Sequence, residues 1–293
     1  GGGAIGIETA FALNHKGKHV TLVEMQKQLL KEIIDPDISI LMENYLTSQG
    51  IDIIKDNAVS AFEESNKQHK LICSSGVIES DITIIATGFS PDISIAENSG
   101  IQYNTKGITT DSFLRTSVQN VFAAGDCIAS WSSIDGKPIS SRLATSAYKQ
   151  GTIAGINALG GTIEYSGTAS TFVTRVGNFE IAGTGFNTET AIARGFEPVS
   201  GKITSKVRPE YYPDNAVITV KIIFDKNSGL ILGAQCAGSE GTASRINLIS
   251  MAVEFGITID ELSRTELAYC PSVSEVYDPL LRAADICLRR LKQ

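Results

Sequence analysis

Histidine is scarce in this chain of 293 residues: His15, His19 and His69 are all there is, and none follows. A histidine-bearing metal centre or acid–base pair therefore cannot be assembled from the remaining three quarters of the chain. Cysteine is sparse, odd in number and scattered, at Cys73, Cys127, Cys236, Cys270 and Cys287. No C-x-x-C spacing occurs, which excludes the usual zinc and dithiol motifs and a disulfide framework. No metal site is expected, and a reducing cytoplasm is the natural setting. No apolar run approaches the roughly 18 residues of a membrane span, and no signal peptide is visible. An excess of positive charge is also lacking: 25 Lys and Arg face 32 Asp and Glu, a net charge of −7. That balance argues against a general nucleic-acid binder. Repeats, low-complexity tracts and heptads are absent. What remains is a globular composition, 42% hydrophobic and 19% charged, long enough for two domains with cores.

The most informative segment present is Gly1-Gly2-Gly3-Ala4-Ile5-Gly6-Ile7-Glu8. Gly1, Gly3 and Gly6 fit G-x-G-x-x-G. In a dinucleotide-binding unit the first glycine allows a tight turn and the second lets the backbone approach a pyrophosphate. The third packs helix on strand, and the helix N-terminus faces the phosphates. Gly6 to Asn14 reads as that helix, with Ile5, Thr9, Ala12 and Leu13 on one side, and Gly17 stops it. His19 to Glu24 reads as a short strand ending in an acid. Glu24 lies 18 positions after Gly6, near the spacing of a carboxylate that accepts from a ribose 2′-hydroxyl. An acid there repels a 2′-phosphate, so NADH is expected over NADPH; otherwise Glu24 merely ends a strand in solvent.

Further along, a helix is expected from Pro36-Asp37 to Ser48, closed by Gly50. Short strands are expected at 51–55, 58–64, 69–73 and 77–80. The β-branched run Asp81 to Ala86 reads as a buried parallel strand ended by Thr87-Gly88. Asn120 to Ala124 reads as a second short buried strand before Gly125-Asp126, and a helix fits Arg142 to Leu159. Beyond about Thr162, strands fit 171–176 and 179–184 and a short helix fits 188–194. A hairpin joins Val217–Asp225 to Leu230–Ala237 through Asn227-Ser228-Gly229. Helices fit 240–255, 259–263 and 273–291.

Four segments, in order, resemble the FAD-dependent pyridine nucleotide-disulfide oxidoreductases, and most of all their CoA-disulfide reductase and NADH oxidase branch. They are residues 1–8; Ala86-Thr87-Gly88-Phe89-Ser90-Pro91-Asp92; Arg115-Thr116-Ser117 with Asn120 to Asp126; and Ile231 to Gln235 through Leu267-Ala268-Tyr269-Cys270-Pro271. The resemblance covers essentially the whole chain. It implies an α/β fold: a Rossmann-like NAD domain over 1–86, part of an FAD domain over 87–161 and an α+β dimerisation domain over 162–293. It implies homodimerisation through that last domain, FAD and NAD as cofactors, and an upstream half of the FAD domain with a redox cysteine before Gly1. The activity it implies is hydride transfer from NADH through FAD to a disulfide, persulfide or polysulfide, or dioxygen. Two alternatives stand beside it: a reductase of a small carrier such as rubredoxin, and a non-enzymatic NAD-binding, dimerising module.

The resemblance also implies roles for individual residues. Gly1, Gly3, Gly6 and Glu24 would bind NAD, and Glu8 would contact the nicotinamide side or else be a solvated helix charge. Gly88 and Gly125 would shape cofactor loops, and the Asp126 carboxylate would accept from FAD hydroxyls, unless it only caps a turn. Leu143 and Ala144 would begin a helix whose N-terminus faces the flavin. Ala4 occupies a place where many relatives have an aromatic gate. Glutathione-reductase-type members carry His-Pro and a glutamate; here the histidine place is Cys270 and the glutamate is Glu275. Tyr269 matches a tyrosine that reaches the partner subunit's site, where a phenol can donate to a leaving thiolate. Tyr212, within Tyr211-Tyr212-Pro213, resembles a second such tyrosine; packing is the alternative for all three. Cys270 is expected to fill the space of the absent histidine as a small hydrophobe, the alternative being a redox thiol near the flavin. Lys202, Lys206 and Arg208 would share a strand face, as an edge guarded by cations or as a phosphate-binding patch for CoA.

Overall fold

A computed structural model describes residues 1–65 and 68–291. The chain leaves the glycine loop into α1 (Ala4–His15), then forms β1 (Thr21–Val23), α2 (Pro36–Ser48) and β2 (Asp52–Ile54). β1 and β2 pair in parallel, Thr21 opposite Asp52, as a β-α-β connection requires. Pro36 opens α2 where its missing N–H costs nothing, and Gly50 leaves it in the left-handed region at φ +85°. Next come β3 (Val59–Ser65), β4 (Gln68–Cys73) and β5 (Gly76–Ser80), an antiparallel meander. The middle of the chain holds α3 (Ser94–Ser99), β6 (Tyr103–Asn104), β7 (Gly107–Ile108) and α4 (Ala144–Ala158).

The last third is built on one five-stranded antiparallel sheet. Its strands are β8 (Phe172–Val176), β9 (Phe179–Gly185), β10 (Pro198–Lys206), β11 (Val217–Asp225) and β12 (Ile231–Gly238). Their order is β10-β11-β12-β9-β8, with α5 (Thr188–Ala193) after β9. Then follow α6 (Thr242–Glu254), α7 (Ile259–Ser263) and α8 (Pro279–Leu291). The β11–β12 turn is set by Asp225, whose carboxylate accepts from the Ser228 amide at 3.0 Å and hydroxyl at 2.7 Å, while Gly229 adopts φ +73°. Thr258 and Glu261 close a capping box on α7.

Every residue of β12, and all of β11 after Val217, is buried, because the sheet is covered on both faces. One face carries Ile218, Val220, Ile222 and Phe224 against Ile246, Ile249 and Val253 of α6 and Leu280, Ala284 and Cys287 of α8. On the other, Phe172, Val176, Ile181 and Ala237 join Ile7, Leu29, Ile38, Met42 and Leu46 in a single cluster. The dinucleotide-type unit is thus packed onto the sheet.

Four sequence-based expectations are corrected. Asp81–Ala86 forms no strand: Ile82 and Ile85 are about three-quarters exposed, at 76% and 77%. β-branched residues favour extended backbone, but a buried strand needs neighbours, and no described strand runs beside this one. Asn120–Ala124 makes only the bridge Arg115–Phe122, since Asn120 and Gly125 take φ +64° and +85° and interrupt the extended path. α8 begins at Pro279, not Val273, because the Glu275 amide is spent on the Val207 carbonyl, outside any helix. On α1 the inward residues are Gly6, Ile7 and Ala10, while Ile5 and Leu13 face outward.

Candidate functional site

The glycine loop is held by close backbone approach. A β-carbon on Gly6 would stand 1.9 Å from the Gly1 carbonyl oxygen, and one on Gly1 would stand 2.4 Å from the Ala86 oxygen. Neither position admits a side chain. Gly3 differs: nothing lies within 4 Å of its missing β-carbon, so open space faces the loop where α1 begins. Gly3 is the N-cap of α1 and provides no side-chain cap, so the first amides of the helix have no side-chain acceptor from the cap position. Glu24, at the end of β1, turns its carboxylate to the loop and accepts from the Gly2 and Gln26 amides. It is half-buried at the loop, not a free acid in solvent. Glu8, exposed on α1, accepts from the hydroxyl of Thr174, a buried residue of β8.

A second arrangement meets the first at Ala86, which touches Gly1. Past it, Gly88 takes φ +90°, and the Phe89 carbonyl accepts from Arg142, whose guanidinium lies 5.0 Å over the Phe89 ring. Arg142 leads into Leu143, the N-cap of α4, which offers no side-chain cap. Leu143 packs on the cluster that holds α1 and α2, and Ala144 is exposed. Gly125 lies against Ala147 of α4, 3.7 Å from its would-be β-carbon, and donates to Gln150 Oε1 at 2.8 Å. Asp126 is exposed beside this turn, and no described residue hydrogen-bonds to its carboxylate. Hence the turn that carries the exposed Asp126 carboxylate is fastened, through Gly125, to the helix whose start has no side-chain cap.

The tyrosines form a separate cluster on the 207–215 loop and the 269–275 segment. Tyr211, beside Tyr269, is the main cause that raises the pKa of the Tyr269 hydroxyl, with desolvation and the Glu275 charge adding to it. Tyr212 instead lies under the Arg208 guanidinium at 5.7 Å. The structure therefore sets Tyr211, not Tyr212, beside Tyr269, although within the Tyr211-Tyr212-Pro213 motif the role was expected of Tyr212. Glu275 accepts from its neighbour Val276 at 2.9 Å. Cys270 does not fill space: it is exposed, its Sγ lies 3.3 Å from Ser272 Oγ, and that contact lowers its pKa. Burial pushes Cys236 and Cys287 up to about 12. Lys202 of β10 is engaged with Asp37 at 2.8 Å, and Arg208, just past the end of β10, with Glu240, which favours the guarded edge over a phosphate patch.

Comparison with known proteins agrees with this layout. Residues 1–151 match the pyridine nucleotide-disulphide oxidoreductase family, and residues 171–280 match its dimerisation domain. An NADH oxidase of Methanocaldococcus jannaschii is 32% identical over 291 residues, 99% of this chain and 65% of that protein. A CoA-dependent NAD(P)H sulfur oxidoreductase of Pyrococcus furiosus is 32% identical over 287 residues, 98% of this chain and 64% of that protein. The chain thus spans just under two thirds of the length of these relatives. A NAD-dependent persulfide reductase from A. fulgidus superposes with a TM-score of 0.96 at 30% identity, covering 100% of this chain and 55% of that one. The chain carrying this glycine loop, uncapped α4 and five-stranded sheet belongs to the pyridine nucleotide-disulphide oxidoreductase family.

Proposed function

We propose that the protein is a homodimeric flavoprotein oxidoreductase that passes a hydride from NADH, through FAD, to a disulfide, a persulfide or polysulfide, or dioxygen. One observation carries this reading: the turn that presents the exposed Asp126 is tied through Gly125 to α4, and the uncapped start of α4 is joined through Arg142 and Phe89 to the segment that meets the open glycine loop at Ala86. A ligand suited to that site has hydroxyls to donate and an electron-rich edge to receive donors. The ribityl hydroxyls and pyrimidine edge of a flavin are such groups. The residues fit both cofactors. Gly3 leaves room for a pyrophosphate at α1, and Glu24, at the loop, would accept from a ribose hydroxyl and repel a 2′-phosphate. Asp126 would hold FAD hydroxyls, and the first amides of α4 would stabilise negative charge by roughly 0.3–1 kcal/mol, more when partly buried. FAD, when bound, supplies a ring that takes up two electrons with a proton and releases them again. Tyr269, its pKa raised by Tyr211, stays protonated at neutral pH and would donate a proton or hydrogen bond to a leaving thiolate. The match of residues 171–280 to the dimerisation domain supports a homodimer. No described helix is long and apolar enough to cross a membrane.

The test is NADH consumption at 340 nm by the protein in its full encoded length, loaded with FAD. CoA disulfide, polysulfide and dioxygen are each the sole acceptor in turn, with NADPH for comparison. Oxidation of NADH with one acceptor, faster than NADPH, is expected. Failure to retain FAD, or no turnover with any acceptor, overturns the proposal.

A further inference from the structure

We propose that Gln150 is a positioning residue that sets the Asp126 carboxylate against the N-terminus of α4 and so tunes FAD binding. This rests on the flavin reading above. Gln150 lies two turns into α4 and is 1% exposed. Its amide ties α4 to two other stretches of chain, the 125–130 turn and Tyr165. Oε1 accepts from the Gly125 N–H at 2.8 Å, while Nε2 donates to the Tyr165 hydroxyl at 3.1 Å and to Ser130 Oγ at 3.3 Å. The amide's orientation follows from chemistry. A backbone N–H only donates, so the atom facing Gly125 is the carbonyl oxygen, and the NH₂ is left for the two hydroxyls, each of which can accept.

Those hydroxyl partners are themselves fixed, Ser130 being 1% exposed and Tyr165 2%. Tyr165 is locked further by the edge of the Trp131 ring, 5.2 Å away, and by its backbone N–H on the Ser112 carbonyl. The Gln150 side chain therefore has one conformation, held from behind. In front of it, Gly125 sits in the left-handed region at φ +85°, which points its N–H at α4 while Asp126 turns outward. The same glycine lies against Ala147 of the helix, whose β-carbon stands 3.7 Å from the place of its missing one.

Donor and acceptor for the proposed ligand thus come from stretches far apart in sequence, and the Gln150 amide is the hydrogen bond that spans them. A ligand touching both feels their separation directly, because binding groups lose affinity and reactivity when misplaced by about an ångström. Without the amide oxygen, the Gly125 N–H is left unpaired in a half-buried turn and the loop relaxes to find another acceptor.

The experiment uses the protein in its full encoded length with three substitutions: Gln150→Met, Gln150→Glu and Tyr165→Phe. Methionine keeps the volume and removes the hydrogen bonds. Protonated glutamic acid keeps an acceptor for Gly125 and a donor for Tyr165. FAD dissociation constants are read from quenching of flavin fluorescence, thermal midpoints from the FAD-free protein, and KM and kcat from NADH turnover. Gln150→Met is expected to weaken FAD binding roughly tenfold or more with the KM for NADH unchanged. Gln150→Glu should restore most of the loss, and Tyr165→Phe should fall between. A purely structural role would lower all three midpoints yet leave the folded protein's FAD affinity at the wild-type value, and that result overturns the inference. If Gln150→Met does not fold, unchanged FAD affinity in Tyr165→Phe overturns it instead. Wild-type protein that binds no FAD overturns the flavin reading, and the inference with it.

Discussion

Lys221→Met is the substitution that most directly tests how the dinucleotide-type unit is fastened to the sheet. Lys221 projects from β11 with its side chain 9% exposed, and its ammonium lies 2.7 Å from Asp35 Oδ2 and 2.8 Å from Asp37 Oδ1. Asp35 is the N-cap residue of α2 and is buried; it also accepts from the Thr188 amide and hydroxyl at 3.0 and 2.7 Å. Its own amide donates to Gln235 of β12 at 2.9 Å. Removing the lysine leaves a buried carboxylate without a counter-charge, which costs about 3–5 kcal/mol. The Thr188 bonds remain, and Asp37 keeps Lys202, so the lower end, about 3 kcal/mol, is expected. At roughly 2–4 °C per kcal/mol for a chain of this size, the midpoint should fall by about 6–12 °C. Urea unfolding at pH 7 measures the free-energy change directly. Lys221→Met/Asp35→Asn should recover part of the loss, since the uncompensated charge is then gone. A single mutant within about 1 kcal/mol of wild type would show that the pair behaves as a surface bridge and would refute the argument. The pH dependence gives an independent check. Burial alone would raise the Asp37 carboxyl, but hydrogen bonds and charge from Lys202 and Lys221 outweigh it and hold it below its ordinary value of 3.8. A depressed carboxyl contributes stability that is present above 3.8 and is lost as pH falls below it. That acid loss should shrink in Lys221→Met.

Other perturbations have equally definite outcomes. Gly6→Ala drives a β-carbon into the Gly1 carbonyl, so a loss of about 1–3 kcal/mol in stability and weaker NADH binding are expected, by urea titration and calorimetry. Arg245 grips Asp278 through two hydrogen bonds of 2.9 and 2.6 Å between buried groups. Arg245→Met should therefore cost about 3–5 kcal/mol in urea, and a loss under about 1 kcal/mol would mean the pair is not desolvated. Thr258→Ala removes the capping box of α7 and should cost about 1 kcal/mol, while Thr258→Ser should cost much less. In native protein, a thiol reagent should label Cys270 well ahead of the buried Cys73, Cys236 and Cys287. Loss of the fast phase in Cys270→Ser, read by intact mass, is the expected outcome; its persistence would assign the fast thiol elsewhere.

Much of the local structure was legible in the residues. The α2 boundaries at Pro36 and Ser48, α7 over Ile259–Ser263 and the β11–β12 hairpin all appear where proline, capping and turn residues put them. Gly1, Gly3, Gly6 and Glu24 announced a loop, and they meet in one. These features depend on residues within a turn or two of each other, whose backbone preferences act locally. What depended on partners far along the chain was not legible. Nothing in Asp81–Ala86 says that no strand will pair with it, nor does Tyr211-Tyr212 say which ring will reach Tyr269. The burial of Lys221 between two aspartates from another unit, the exposure of Cys270 and the Gln150 tie to Gly125 are likewise products of packing. Burial, counter-charge and hydrogen-bond partners are properties of the space around a side chain, and only the folded chain fills that space. The sequence by itself determined which segments turn, coil or extend and which chemical groups are at hand; the tertiary structure decided which of those groups face one another.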